Sequence, residues 1–65
     1  MTILKFLTTE NERLCSVKSD FLPSLGDLFD LARDGVEEGT YRAVRITHTF
    51  TCGEHICTII LEAEQ

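Results

Sequence analysis

Two stretches in the last third of the chain alternate apolar and polar positions. "YRAVRITHTFT" (41–51) and "HICTIILEA" (55–63) are rich in β-branched residues and repeat with a period of two. That is the pattern of strands with one buried face. Near the start, "TILKFLTT" (2–9) is β-branched and apolar and reads as a strand. "RLCSVKS" (13–19) alternates and returns as its hairpin partner, with the polar "TENE" (9–12) as the turn.

Between the hairpins the period changes. In "LPSLGDLFDLARDGV" (22–36), Leu25, Leu28, Phe29 and Ala32 recur at i, i+3, i+4 and i+7, one face of a helix. Ser24 is placed as an N-cap, Asp27 completes a capping-box pattern, and Gly35 stands at the C′ position. "VEEGT" (36–40) reads as a loop. The expected architecture is α+β: ββαββ, a single four-stranded antiparallel sheet with one helix covering one face. A rival reading takes "GDLFDL" as a strand and yields an all-β small barrel.

Gly53 sets the register expected for the last hairpin. A two-residue loop of Gly53 and Glu54, glycine first, is the type II′ pattern. It pairs Cys52 with His55, Phe50 with Cys57, His48 with Ile59, Ile46 with Leu61 and Val44 with Ala63. All of these then share the core face. The opposite face carries Arg45, Thr47, Thr49, Thr51, Thr58 and Glu62, with Ile56 and Ile60 among them.

This register decides how the cysteines and histidines are read. Cys52, His48, His55 and Cys57 fall on one face, as a metal site needs, but Phe50 and Ile59 interrupt them, as in a core. C-x2-H-x-C is half of a zinc site at best. No metal ligand is assigned, and no cofactor. Cys57 reads as a small buried hydrophobe and His48 as a core-rim histidine with a satisfied ring nitrogen. Cys52 and His55 have no orienting carboxylate and no cleft, so no catalytic residue is assigned and the chain is read as non-enzymatic.

Length and charge narrow the function. Sixty-five residues make a single compact domain (1–65) with a modest core. The three cysteines form no framework, and "MTILKFLTT" lacks the features of a signal peptide. A monomer in a reducing cytoplasm, with free thiols, is expected. Eleven acidic residues against six basic ones give a net charge of -5. Direct binding of nucleic acid and of membrane surfaces is disfavoured, and a protein partner with a basic surface is favoured.

On the expected helix, Asp27, Asp30 and Asp34 line the side opposite the apolar stripe, and Glu37 and Glu38 extend the row. Their spacing, about 4.5 to 6 Å along the axis, is comparable to that of phosphates on a DNA strand. These five acids are the candidate partner-binding residues. In size, charge and the acidic "SLGDLFDLARDGVEE" segment, the chain resembles the small anti-defence proteins of phages, including anti-CRISPR proteins. The resemblance implies an inhibitor that occupies a basic DNA-binding site, such as that of a CRISPR effector complex, by DNA mimicry. "YRAVRITHTFTCGEHICTIIL" also resembles the closing hairpins of phage tail barrel domains. That resemblance implies an assembly module binding through its sheet, around Ile56 and Ile60. A small zinc-binding domain is the remaining alternative.

Overall fold

The structure, a computed structural model, describes residues 2–33 and 36–64, the side chains of 33 and 36–38 excepted. It is all-β. Five strands follow one another: β1 (Thr2–Thr8), β2 (Arg13–Ser19), β3 (Leu28–Arg33), β4 (Val36–Thr51) and β5 (Glu54–Ala63). They form one sheet in the order β2-β1-β5-β4-β3. β1 runs parallel to β5 at the centre, and the other neighbours are antiparallel.

The expected helix is absent, which corrects the ββαββ reading; the all-β alternative lies closer. The reason is local. Ser24 and Asp27 do bond as a capping box would begin: Ser24 N–H donates to Asp27 Oδ2 at 2.8 Å and Asp27 N–H to the Ser24 carbonyl at 3.1 Å. Gly26, however, sits at φ 89°, a left-handed value that stops a right-handed helix from propagating. β4 then takes the backbone. Gly26 N–H donates to the Ala43 carbonyl, and Ala43 N–H to that of Asp27, both at 2.9 Å. From Leu28 the chain is extended, and Phe29 and Leu31 turn inward as alternate strand residues. The segment 36–40, expected as a loop, is the first part of β4.

The two hairpins expected from alternation are present. In the first, Asn11 takes φ 65°, which asparagine tolerates better than most residues. The Thr8 hydroxyl accepts from Glu10 N–H and Glu12 N–H at 3.2 and 3.1 Å. In the last hairpin, Thr51 pairs with Glu54, so the loop is Cys52-Gly53 with glycine second at φ 79°. The expected register is therefore corrected by two residues: Phe50 lies opposite His55, and His48 opposite Cys57. A slip of two keeps every side chain on its face, so His48, Phe50, Cys57 and Ile59 share a face as expected. Val44 does not, because a bulge between Ala43 and Arg45 takes it out of the ladder and puts Ala43 inside.

The sheet curls into a half-barrel. Phe6 on β1 and Phe29 on β3 are three strands apart in the sheet order. A flat sheet would hold them about 14 Å apart, yet their rings meet edge-to-face with centroids at 5.2 Å. One bulge in β2 and two in β4 supply local bends. Inside the curl lie Leu4, Phe6, Ala43, Cys57, Ile59 and Leu61, with Leu14, Cys15, Phe29, Leu31, Tyr41 and Ile46 packed against them.

Candidate functional site on the outer face

The curl gives the sheet an inner, covered face and an outer, uncovered one. On β1, Leu4 and Phe6 are buried inside, while Ile3, Lys5 and Leu7 point out. On β5, Cys57, Ile59 and Leu61 are buried inside, and Ile56, Thr58 and Ile60 point out. The register places Ile3 beside Ile56 and Leu7 beside Ile60. Ile60 in turn lies beside Arg45, and Thr58 beside Thr47. The bulged Val44 stands over this row, 41% exposed.

These residues form an open groove of about 580 Å³. Thr58 and Ile60 are its floor. Leu7, Thr9 and Asn11 make one wall, and Val44, Arg45 and Thr47 the other. The left-handed Asn11 turn and the Val44 bulge are the two irregularities that raise walls on an otherwise smooth sheet.

The outer face is also where cations gather. Lys18 lies beside Ile3, Lys5 beside Thr58, Arg45 beside Ile60 and Arg42 beside Glu62. Arg42 is engaged: its Nε donates to Glu64 Oε2 at 3.2 Å and its Nη2 to Oε1 at 2.8 Å. That bond holds the Glu64 carboxyl below the usual carboxylate range and raises the proton affinity of Arg42. Among the described residues, Lys5, Lys18 and Arg45 have no carboxylate partner.

The five acids expected as a binding row lose the helix that was to align them. Asp27 is tied to Ser24 in the turn before β3. Asp30 accepts from the Thr40 hydroxyl across β3 and β4. Asp34 lies outside the described residues. Glu37 and Glu38 belong to the start of β4 and their side chains are not described. With no helix, the phosphate-like spacing that linked them is gone.

The cysteines and histidines separate. Cys52 is exposed in the turn and Cys57 is fully buried, its thiol pushed up by burial. His48 Nδ1 and His55 Nε2 share a hydrogen bond at 2.8 Å, and His55 Nδ1 meets the Thr2 hydroxyl at 3.0 Å. Phe50, 74% exposed, stacks on His55 with centroids at 4.5 Å. His48 thus has the satisfied ring nitrogen expected of it, but it is exposed and does not sit in the core. Among the described residues, no cluster of three or more His, Cys, Asp or Glu side chains is placed to hold a metal ion. No helix among them is long and apolar enough to cross a membrane.

Sequence reasoning missed Leu7, Val44 and Arg45 as site residues. A signal existed in "ICTIIL" (56–61): Ile56, Ile59, Ile60 and Leu61 supply apolar groups to both faces of one strand. The same is true of "ILKFL" (3–7). Strands apolar on both faces belong to parallel pairs covered on both sides. Comparison with known proteins adds no constraint: no family model, curated protein or solved structure matches the chain.

Proposed function

We propose that this chain is a non-enzymatic protein-binding module that receives its partner on the outer face of the sheet. One observation carries this reading. The central parallel pair, β1 and β5, is apolar on both faces, and the described residues cover only the inner one. Parallel strands are ordinarily covered on both faces. Here Ile3, Leu7, Ile56 and Ile60 remain only half-buried, and Val44 and Leu28 are exposed beside them. A partner laid over this face would supply the missing layer and remove that apolar surface from water.

This reading keeps the protein partner expected from the sequence and moves the contact. The row of carboxylates on a helix, which motivated mimicry of DNA, does not exist in the fold. The outer sheet, which includes Ile56 and Ile60, stands in its place.

A photo-crosslinking residue tests it. Placed at Thr58 on the groove floor, it should trap a protein partner in cells of the chain's own source. Placed at Val17, exposed on β2 opposite inner-face Leu4, it should not. Adducts at Val17 with none at Thr58 would overturn the assignment.

A further inference from the structure

The groove also carries a charge pattern, and the pattern selects what fits it. The chain as a whole is acidic, with eleven acids to six bases. Its bases are not spread evenly. Lys5, Arg13, Lys18, Arg42 and Arg45 all stand on the outer face by register, and so do Asp30, Glu54, Glu62 and Glu64. Asp30 is held by Thr40, and Arg42 by Glu64. Glu62 stands beside Arg42 at the upper end, and Glu54 at the hairpin tip. Around the apolar floor itself, Ile60 is flanked by Arg45 on β4, and Thr58 by Lys5 on β1.

We infer that the groove between Leu7, Ile60 and Val44 takes an acidic segment of a partner protein, its apolar side chains on the floor and its carboxylates on Lys5 and Arg45. This rests on the docking reading above and specifies the partner's chemistry. The two cations lie on opposite sides of β5, so they flank anything laid along that strand. Adjacent strands are about 4.8 Å apart, so the backbones of β1 and β4 are separated by roughly 10 Å. A peptide in the polyproline II conformation, with three residues per turn, fits that width with one side chain on the floor and the next two reaching outward to the cation on each side. Arg45 matches a carboxylate as a bidentate fork, and Lys5 as a point charge. A second copy joined face to face is the wrong occupant, because it would set Lys5, Lys18 and Arg45 against the same three residues. Thr47 on one wall and Thr58 on the floor give hydroxyls that accept from or donate to a peptide backbone.

Two synthetic peptides serve as probes. Both carry leucine or valine at every third position; the other positions are Asp and Glu in one and Lys in the other. The full chain, labelled with 15N, is titrated with each at low and high salt. The acidic peptide should shift the amides of Leu7, Thr58 and Ile60, and the lysine peptide should not. Raising salt from 50 to 500 mM should weaken the acidic complex roughly tenfold, as for contacts carried by charge near a surface. Arg45→Glu and Lys5→Glu should each weaken it by about the same factor. Thr49→Glu, on the same face away from the groove, should weaken it less than threefold. Folding of each variant is checked by its unshifted amides on the inner face.

Equal binding of both peptides, indifferent to salt, would overturn the charge assignment and leave the docking face standing. No shift of groove amides by the acidic peptide at millimolar concentration would overturn the inference outright. Thr58 crosslinks in cells would then decide separately whether the face docks a protein at all. Concentration-dependent association of the chain alone, abolished by Arg45→Glu, would make the occupant the acidic end of a second copy and overturn a foreign partner.

Discussion

Ile59 and Ile60 are adjacent, chemically identical and on the same strand, yet the fold uses them in opposite ways. Ile59 is fully buried between Phe6 on β1 and Ile46 on β4. Ile60 is half-buried, open to the groove between Leu7 and Arg45. The difference follows from alternation alone. What it teaches is that hydrophobicity on this strand answers two demands. The inner residues hold the fold together. The outer ones are apolar although the fold gains little from them, which is what the proposed docking face requires.

The strongest way to break this comparison is to truncate both isoleucines. Ile59→Ala should cost about 2 to 5 kcal/mol, since it removes a fully buried side chain and leaves a cavity in a small core. For a domain this short, that approaches the whole stability. Ile60→Ala should cost less than about 1 kcal/mol, as a partly exposed site does. Urea denaturation followed by circular dichroism measures both. Equal losses would mean that the two faces are not energetically distinct and that the outer face belongs to the core.

Cys57 sharpens the same contrast through chemistry. Cys57→Ala should destabilise by about 1 to 2 kcal/mol. Burial pushes its thiol up, so the folded state holds the proton more tightly than the unfolded one. Its contribution is therefore complete below the ordinary thiol range and declines as pH rises through the raised value. Wild type should lose stability on the alkaline side, and Cys57→Ala should lose less there. Cys52, exposed in the turn, should be alkylated at once in the native state, while Cys57 waits for unfolding. Fast modification of both in a folded sample would place Cys57 at the surface.

How much of this was legible depends on where local signals were strong. The strands at 2–9, 13–19, 41–51 and 55–63 were readable because alternation and turn residues agreed. The inward set of Cys57, Ile59 and Leu61 came with them. β3 was not, because "SLGDLFDLA" satisfies both periods: Leu25, Leu28, Phe29 and Ala32 make a helical stripe, and Phe29 and Leu31 a strand pattern. Tertiary pairing with β4 decided it, through Gly26 and Ala43. The groove was harder still. It depends on the parallel contact between β1 and β5, which the apolar groups on both faces of those strands only hint at, and on the Val44 bulge, which leaves no local mark. The acid row, read from a helix that does not form, dissolved with it.

A smaller effect tests how the outer face is framed. Ile60→Lys should leave inner-face amides unshifted and change stability by roughly half a kcal/mol, as surface substitutions do. It should nevertheless abolish crosslinking from Thr58, because it sets a charge on the apolar floor. Unchanged crosslinking with the fold intact would move the docking surface off this groove.

The smallest expected effect concerns the Arg42–Glu64 pair, which ties the end of β5 to β4 at the edge of the outer face. Both groups are exposed, and exposed pairs contribute little. Their value here is the direction of the pH response. The hydrogen bond from Arg42 holds the Glu64 carboxyl below its ordinary range. The folded state then favours the ionised form more than the unfolded state does. The pair's contribution is present above the ordinary carboxylate range and is lost as pH falls through the lowered value. Glu64→Gln removes the charge without shortening the side chain, so it should melt slightly below wild type near neutral pH. The two curves should converge as pH is lowered, and the neutral-pH gap should shrink with added salt. A gap that persists at acid pH would mean that the Glu64 side chain acts through contacts other than its charge, and that the ion pair is incidental.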